Sequence, residues 1–174
     1  MTGTRVDPFR GFNFSVSLTD STSALSIAVS LSSSPPVGSF SECSGLEMQL
    51  DIEEYREGGR NGEVLQFPTR VKWGRITLKK GLGYTSELWD WHYGFAQGKG
   101  KRRDGVVVLT DNNHIPAQSW YFKRGLPVRY AAPPLNASQN AVAIESIEIA
   151  HEGILQFSAV GAVLDAASGL VGGF

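Results

Sequence analysis

From Leu46 to Glu53 apolar and polar side chains alternate without a break, with Leu46, Met48, Leu50 and Ile52 set against Glu47, Gln49, Asp51 and Glu53. A period of two belongs to a strand, so the first set is expected on a buried sheet face and the second in water or against a partner. Tyr55-Arg56-Glu57-Gly58-Gly59-Arg60-Asn61-Gly62 then breaks the pattern with residues suited to a loop. The same alternation recurs along the chain. Phe12, Phe14, Val16 and Leu18 carry it first, then Leu25, Ile27, Val29 and Leu31, with a polar turn from Thr19 to Ser23 between them.

Five more strands follow from the pattern. Val71, Trp73, Ile76 and Leu78 change phase at Gly74, which predicts a bulge. Val106 to Leu109 is a continuous β-branched and apolar run, expected to be covered on both faces. Trp120-Tyr121-Phe122 and Val128-Arg129-Tyr130 read as separate strands divided by Gly125-Leu126-Pro127. In Val142 to His151 the apolar set moves from Val142 and Ile144 to Ile147 and Ile149, predicting a bulge or two covered faces. A single helix is expected after Thr85 or Ser86. Leu88, Trp91, His92 and Phe95 fall on one face, Glu87 suits the positive end of the dipole, and Gly98 and Gly100 end the helix. Many short strands with one helix predict a mainly β fold, a small antiparallel β-barrel or sandwich with one flanking α-helix.

A chain of 174 residues is long enough to bury a self-sufficient core in one domain. Its 16 basic and 17 acidic residues give a net charge of −1, which exerts no general pull toward nucleic acid or anionic membrane. The single cysteine, Cys43, cannot form an internal disulfide and is expected to pack as a small hydrophobe. Residues 1–14 carry no apolar run of signal-peptide length, which predicts synthesis in the cytoplasm without Sec export. No segment reaches the roughly 20 apolar residues of a membrane anchor. The stretch from Ile154 to Phe174 comes closest, but Ser158, Asp165 and Ser168 interrupt it.

Nothing in the chain reads as catalytic apparatus. His92, His114 and His151 stand far apart with no partner at metal-ligand spacing. A hydrolase site built on His151, Glu152 and Asp104 would lack a nucleophile motif, and a structural hydrogen bond is the expected role of the His151-Glu152 pair. Gly98-Lys99-Gly100-Lys101-Arg102-Arg103 lacks the order of a phosphate-binding loop. Its cations are expected to form ion pairs, with contact to a nucleic-acid backbone as the alternative. Trp73, Trp91 and Trp120 are expected in the core or at a subunit contact, and Trp89, on another side of the helix, at an interface. No cofactor or metal is expected.

Particular wordings point further. Phe40-Ser41-Glu42 with Ser44-Gly45-Leu46-Glu47, Tyr55 to Gly59, and Gly74 with Ile76-Thr77-Leu78-Lys79 and Gly81 resemble the tail-tube protein family of contractile phage tails and extracellular contractile injection systems, related to the Hcp-type tube proteins of type VI secretion. Asp7-Pro8-Phe9-Arg10, Leu88-Trp89-Asp90-Trp91, Arg102-Arg103-Asp104 and Ala150-His151-Glu152-Gly153 follow the family's order, so the resemblance spans roughly residues 7 to 157. It implies a barrel domain over 1–157 with an insertion near 19–36, followed by an apolar tail over 158–174. It also implies hexameric rings that stack into the inner tube of an injection device or phage tail. Partners are then the chain itself, a sheath protein, baseplate hub and spike proteins, and cargo or DNA in the lumen bound without sequence specificity. Carried over, Glu53, Tyr55, Arg56, Glu57, Gly58 and Gly59 become candidates for the ring-stacking contact, with Trp89, Arg102 and Arg103 as further interface candidates. The insertion and tail suit an alternative, a tube-initiating ring that joins the spike or hub to the tube.

Overall fold

In the computed structural model of the protein, residues 11, 13–19, 40–56, 62–111, 115–138 and 140–158 are described. The second alternating run, the insertion beyond Thr19 and the tail beyond Ser158 lie outside them. The strands are β1 (Phe14–Thr19), β2 (Phe40–Ser44), β3 (Met48–Tyr55), β4 (Leu65–Trp73), β5 (Ile76–Gly81), β6 (Arg103–Thr110), β7 (Pro116–Ala131), β8 (Ile144–Ala150) and β9 (Ile154–Ser158), with one helix, α1 (Glu87–Ala96). Among the described residues the main sheet runs β1-β6-β7-β8-β5-β2, with β9 also paired to β7, and every ladder is antiparallel. The edge strands β1 and β2 approach one another without a ladder, so the expected barrel is an open, folded-over sheet.

The fold turns on β7. Its first half pairs with β6 and β9, its second with β8. The two strands expected on either side of Gly125 are therefore one strand with a corner. Arg124 adopts a left-handed φ of 54° there, and its N–H donates to the Asp104 carboxylate at 2.7 Å. Asp104 is buried and also accepts from the Tyr121 hydroxyl at 2.8 Å, so it holds the bend from both sides. That bond and the burial of Tyr121 push the phenol's pKa well above its usual range, burial being the larger cause.

Between the two halves lie Val16, Phe40, Ile76, Leu78, Val107, Phe122, Ile147 and Ile149, closed over by Leu88 and Trp91 of α1. Each such side chain stabilises the fold by roughly 1.5–3 kcal/mol. The Trp91 indole N–H donates to the Lys101 carbonyl at 2.8 Å, which anchors the loop after the helix. Ser86 flanks the start of α1, but its hydroxyl donates to the Asp90 carboxylate at 2.6 Å and caps no backbone N–H. Gly98, at φ 72°, lies just past the end of the helix, where a left-handed residue is favoured. Cys43 is half-buried against this core, its thiol pushed up to about 11 by burial and then by nearby Glu42.

The phase change expected in β8 has a specific cause. Ile144 faces outward, and Glu145, Ile147 and Ile149 form the buried face. Glu145 occupies an apolar position because β5 and β7 supply its partners. Lys80 Nζ lies 3.5 Å from one carboxylate oxygen and the Tyr130 hydroxyl donates to the other at 2.8 Å.

β3 and β4 leave the main sheet as a separate two-stranded ribbon between β2 and β5. Gly74 and Arg75 interrupt the chain between β4 and β5, so the phase change there is a break between strands, not a bulge. Across the root, Gly45 has φ 83°, and a Cβ on it would run into the Arg75 carbonyl oxygen. Gly45→Ala is therefore expected to destabilise the protein by more than about 1 kcal/mol, because both the backbone angle and the space exclude a side chain. Chemical denaturation measures it directly.

Candidate assembly surfaces

The ribbon has eight residues in β3 and nine in β4, roughly 26 Å along its strands. The register pairs Met48 with Trp73 and Leu50 with Val71. It shifts by one residue before Ile52 meets Pro68, placing the bulge inside the ribbon. Pro68 cannot donate to a ladder and is tolerated because β4 is an edge strand. One face is apolar over its inner part, carrying Met48, Leu50, Ile52 and Val71, and ends in the polar pair of Glu54 and Gln66. On the other, Asp51 is held by Arg70 and Lys72, each at 2.8 Å. Those bonds, Arg70's first, keep its carboxyl below the usual range. Farther out on that face, the rings of Tyr55 and Phe67 meet edge to face at 6.5 Å.

The apolar face is not buried as the alternation predicted. Met48 is 66% exposed, Leu50 51% and Ile52 53%, because no second layer of the described chain covers them. Leu46 alone of that set packs against the core. A lone two-stranded hairpin is marginal in water, and one with a wet apolar face more so.

At the root, the His151 ring sits between Trp73, 6.1 Å away, and Phe122, 6.2 Å away. Both ring nitrogens are buried and lack a partner at hydrogen-bonding geometry, so of the His151-Glu152 pair the imidazole makes no structural hydrogen bond. Glu152 instead receives Arg102 at 2.9 Å and Arg124 at 3.0 Å. Burial lowers the His151 pKa, outweighing the backbone at Gly74 and Gly153, which favours the charged ring. The unfolded chain takes up this proton near pH 6.5 and the folded chain only at lower pH. Stability is therefore expected to fall as pH drops below about 6.5 and to level off below the folded value. His151→Phe should flatten that part of the slope, as read by denaturant unfolding across pH.

The opposite end of the β5–β8 sheet is also apolar. Trp89 on α1 is exposed and stacks on Tyr93 at 5.6 Å, with its edge toward Tyr130 at 5.3 Å. Leu82, bonded through its N–H to the Ala143 carbonyl, and Tyr84, Leu135, Val142 and Ile144 are exposed beside it.

The candidate residues thus fall into three places. Glu53, Tyr55 and Arg56 are exposed on the outer part of the ribbon, and Glu57, Gly58 and Gly59 lie outside the described residues. Trp89 stands at the far end. Arg102 belongs to the cluster on Glu152 near the ribbon's root, and Arg103 lies inward, 3.6 Å from Glu87 and over the Trp91 ring at 5.5 Å. The alternation missed the exposure of Met48, Leu50 and Ile52. Of the apolar far end the sequence marked Trp89 alone, although a further signal is the run from Ala131 to Ile144 with no charged residue. Among the described residues no group of His, Cys, Asp and Glu could hold a metal ion, and no helix is long and apolar enough to cross a membrane.

A family model described as T4-like virus tail tube protein gp19 matches residues 10–155. Among solved structures, a chain in the baseplate of the anti-feeding prophage shares the fold at a TM-score of 0.75 and 22% identity, covering 88% of this chain and 98% of that one. A chain of the sheath-tube complex of the PVC extracellular contractile injection system, in its extended state, gives 0.71 at 23% identity, over 87% and 93%. A chain of the anti-feeding prophage tube-terminating cap gives 0.73 at 21%, over 91% and 99%. No curated protein matches the sequence.

Proposed function

The chain belongs to the T4-like virus tail tube protein family, which is structural and not enzymatic, and from that premise we propose that it is a subunit of the inner tube of a contractile injection device or phage tail. The carrying observation is the apolar face of Met48, Leu50 and Ile52, which the chain exposes on a ribbon too thin to be stable alone. Sister molecules supply the missing layer. Copies close head to tail into hexameric rings, and rings stack because a heterologous contact leaves one complementary surface free at each end.

Glu53, Tyr55 and Arg56, with Glu57, Gly58 and Gly59, form the ring-to-ring contact in this reading, and Trp89 and Arg102 face neighbours. The occurrence of the same fold in sheath-tube and baseplate complexes supports a sheath protein and baseplate hub or spike proteins as partners. The work is mechanical. A contracting sheath drives the tube through an envelope, and the lumen conveys DNA or protein without reading sequence.

A second reading is the initiator ring that joins the spike to the tube. The fold match within a baseplate favours it, as does the segment 158–174 beyond the matched stretch. Electron microscopy of the purified chain, alone and with its hub or spike protein, separates the two. Hollow rods from the chain alone support the bulk tube. Single rings that stack only after the spike is added support the initiator, and monomers at every concentration contradict both.

A further inference from the structure

We propose that His151 is a pH-sensitive latch at the root of the β3–β4 ribbon: its neutral ring packs Trp73 against the body of the fold, and taking up a proton frees the ribbon. The latch is a property of the single chain and stands whether or not the tube reading does. Trp73 ends β4 and pairs with Met48, the first residue of β3, so it marks where the ribbon leaves the body. Its indole lies beside the His151 ring and 3.8 Å from where a Cβ on Gly153 would stand. His151 and Gly153 both belong to the link between β8 and β9. That link is fixed to β7 by the Glu152 N–H on the Lys123 carbonyl and by the Lys123 N–H on the Gly153 carbonyl.

The site suits a neutral ring. Both imidazole nitrogens are buried without a hydrogen-bond partner. An imidazolium carries two donors, and burying its charge with neither satisfied costs far more than burying the neutral form. The aromatic walls return little, since Trp73 at 6.1 Å and Phe122 at 6.2 Å are tilted and stand at the limit of about 6 Å for attraction between a cation and a ring face. Charged groups on the surrounding elements are engaged elsewhere. Glu152 takes Arg102 and Arg124, Lys72 next to Trp73 is held by Asp51, and Arg75 at the root stands 3.8 Å from Glu148. Glu47 lies across Gly74, and neither it nor Lys123 of β7 bonds to the ring.

Of the two aromatic walls, the ribbon's is the one that gives. Phe122 is fully buried in the core, on a strand laddered to β6, β8 and β9. Trp73 stands on a two-stranded sheet whose strands pair only with each other among the described residues, a unit marginal in water by itself. Turning the ribbon away brings water to the imidazolium without opening the core, and Leu46, packed on that core, remains as a tether. The closed ribbon is fully favoured above about pH 6.5, where closed and open chains both hold a neutral ring. Each pH unit below that multiplies the ratio of open to closed by up to about tenfold, until the closed chain also takes the proton.

Hydrogen exchange of the dissociated full chain tests this, read by mass spectrometry at about pH 7 and about pH 5 and corrected for the intrinsic pH dependence of exchange. Protection of residues 48–55 and 65–73 is expected to fall about tenfold at the lower pH while residues 106–109 and 144–150 keep theirs. In His151→Phe the ribbon should stay protected at both. Ribbon protection that is equal at the two pH values, or absent at both, contradicts the latch, as does a loss spread evenly over the core strands. A loss that persists in His151→Phe belongs to another group and overturns it too. If that variant does not fold, carbon-13 NMR of the histidine-labelled parent decides: a histidine titrating together with the opening supports the latch, and opening with no histidine titrating alongside overturns it. Assembled particles distinguish this from the tube reading, because ribbon opening in the single chain without acid dissociation of particles supports the latch and counts only against the ribbon as the assembly element.

Discussion

Glu145→Ala is expected to cost about 3–5 kcal/mol of folding stability, a large part of the roughly 5–15 kcal/mol a domain holds in total. Glu145 is 2% exposed and its partner Lys80 6%, so removing the carboxylate leaves an ammonium buried with no counter-charge. Tyr130 loses its acceptor at the same stroke. Its phenol, pushed up to about 12 by burial and by that bond, remains protonated and needs a new partner. Glu145→Gln should cost less, because an amide oxygen still accepts from Tyr130. Replacing both members, Lys80→Met with Glu145→Leu, should recover most of the loss, since an apolar pair of similar volume needs no desolvation. Urea unfolding of the four proteins measures this. A loss below about 1 kcal/mol for Glu145→Ala would mean that Lys80 reaches water when released.

The second large effect concerns assembly and not the fold. Leu50→Glu with Ile52→Glu should leave the melting temperature of the isolated chain within a degree or two, because both side chains already stand in water. In a stacked tube the same positions lie against a neighbour, and each buried unpaired carboxylate costs several kcal/mol. Assembly should then fail by a factor of about a hundred or more in critical concentration, read by sedimentation. The double variant polymerising like its parent would place the interface elsewhere.

These effects show how far local patterning reaches. The helix was legible because its apolar spacing and terminal glycines act within ten residues. The strands β1, β6 and β8 were legible for the same reason. Of the ribbon, β3 was read correctly as strand and wrongly as buried, since alternation reports which side chains share a face and not what covers that face, while β4 was merged with β5. Glu145 passed for a shift of phase because its justification, Lys80, lies on another strand. Likewise β7 looked like two strands because Asp104, twenty residues before Arg124, holds its corner. At the candidate surfaces, Glu53 to Gly59 stood out only through family wording. The apolar far end lay in a region of prolines and small residues where no period marks a surface.

Met48 offers the most direct test of whether sister molecules cover the ribbon. It is one of two methionines in the chain, and it lies on the apolar face at 66% exposure. Hydroxyl-radical oxidation of its thioether, quantified by mass spectrometry in dissociated subunits and in assembled particles, reports coverage of that face. Slowing of more than about tenfold on assembly is the predicted result. Equal oxidation in both states would show the face still in water inside the particle, and the account of the ribbon as the assembly element would be wrong.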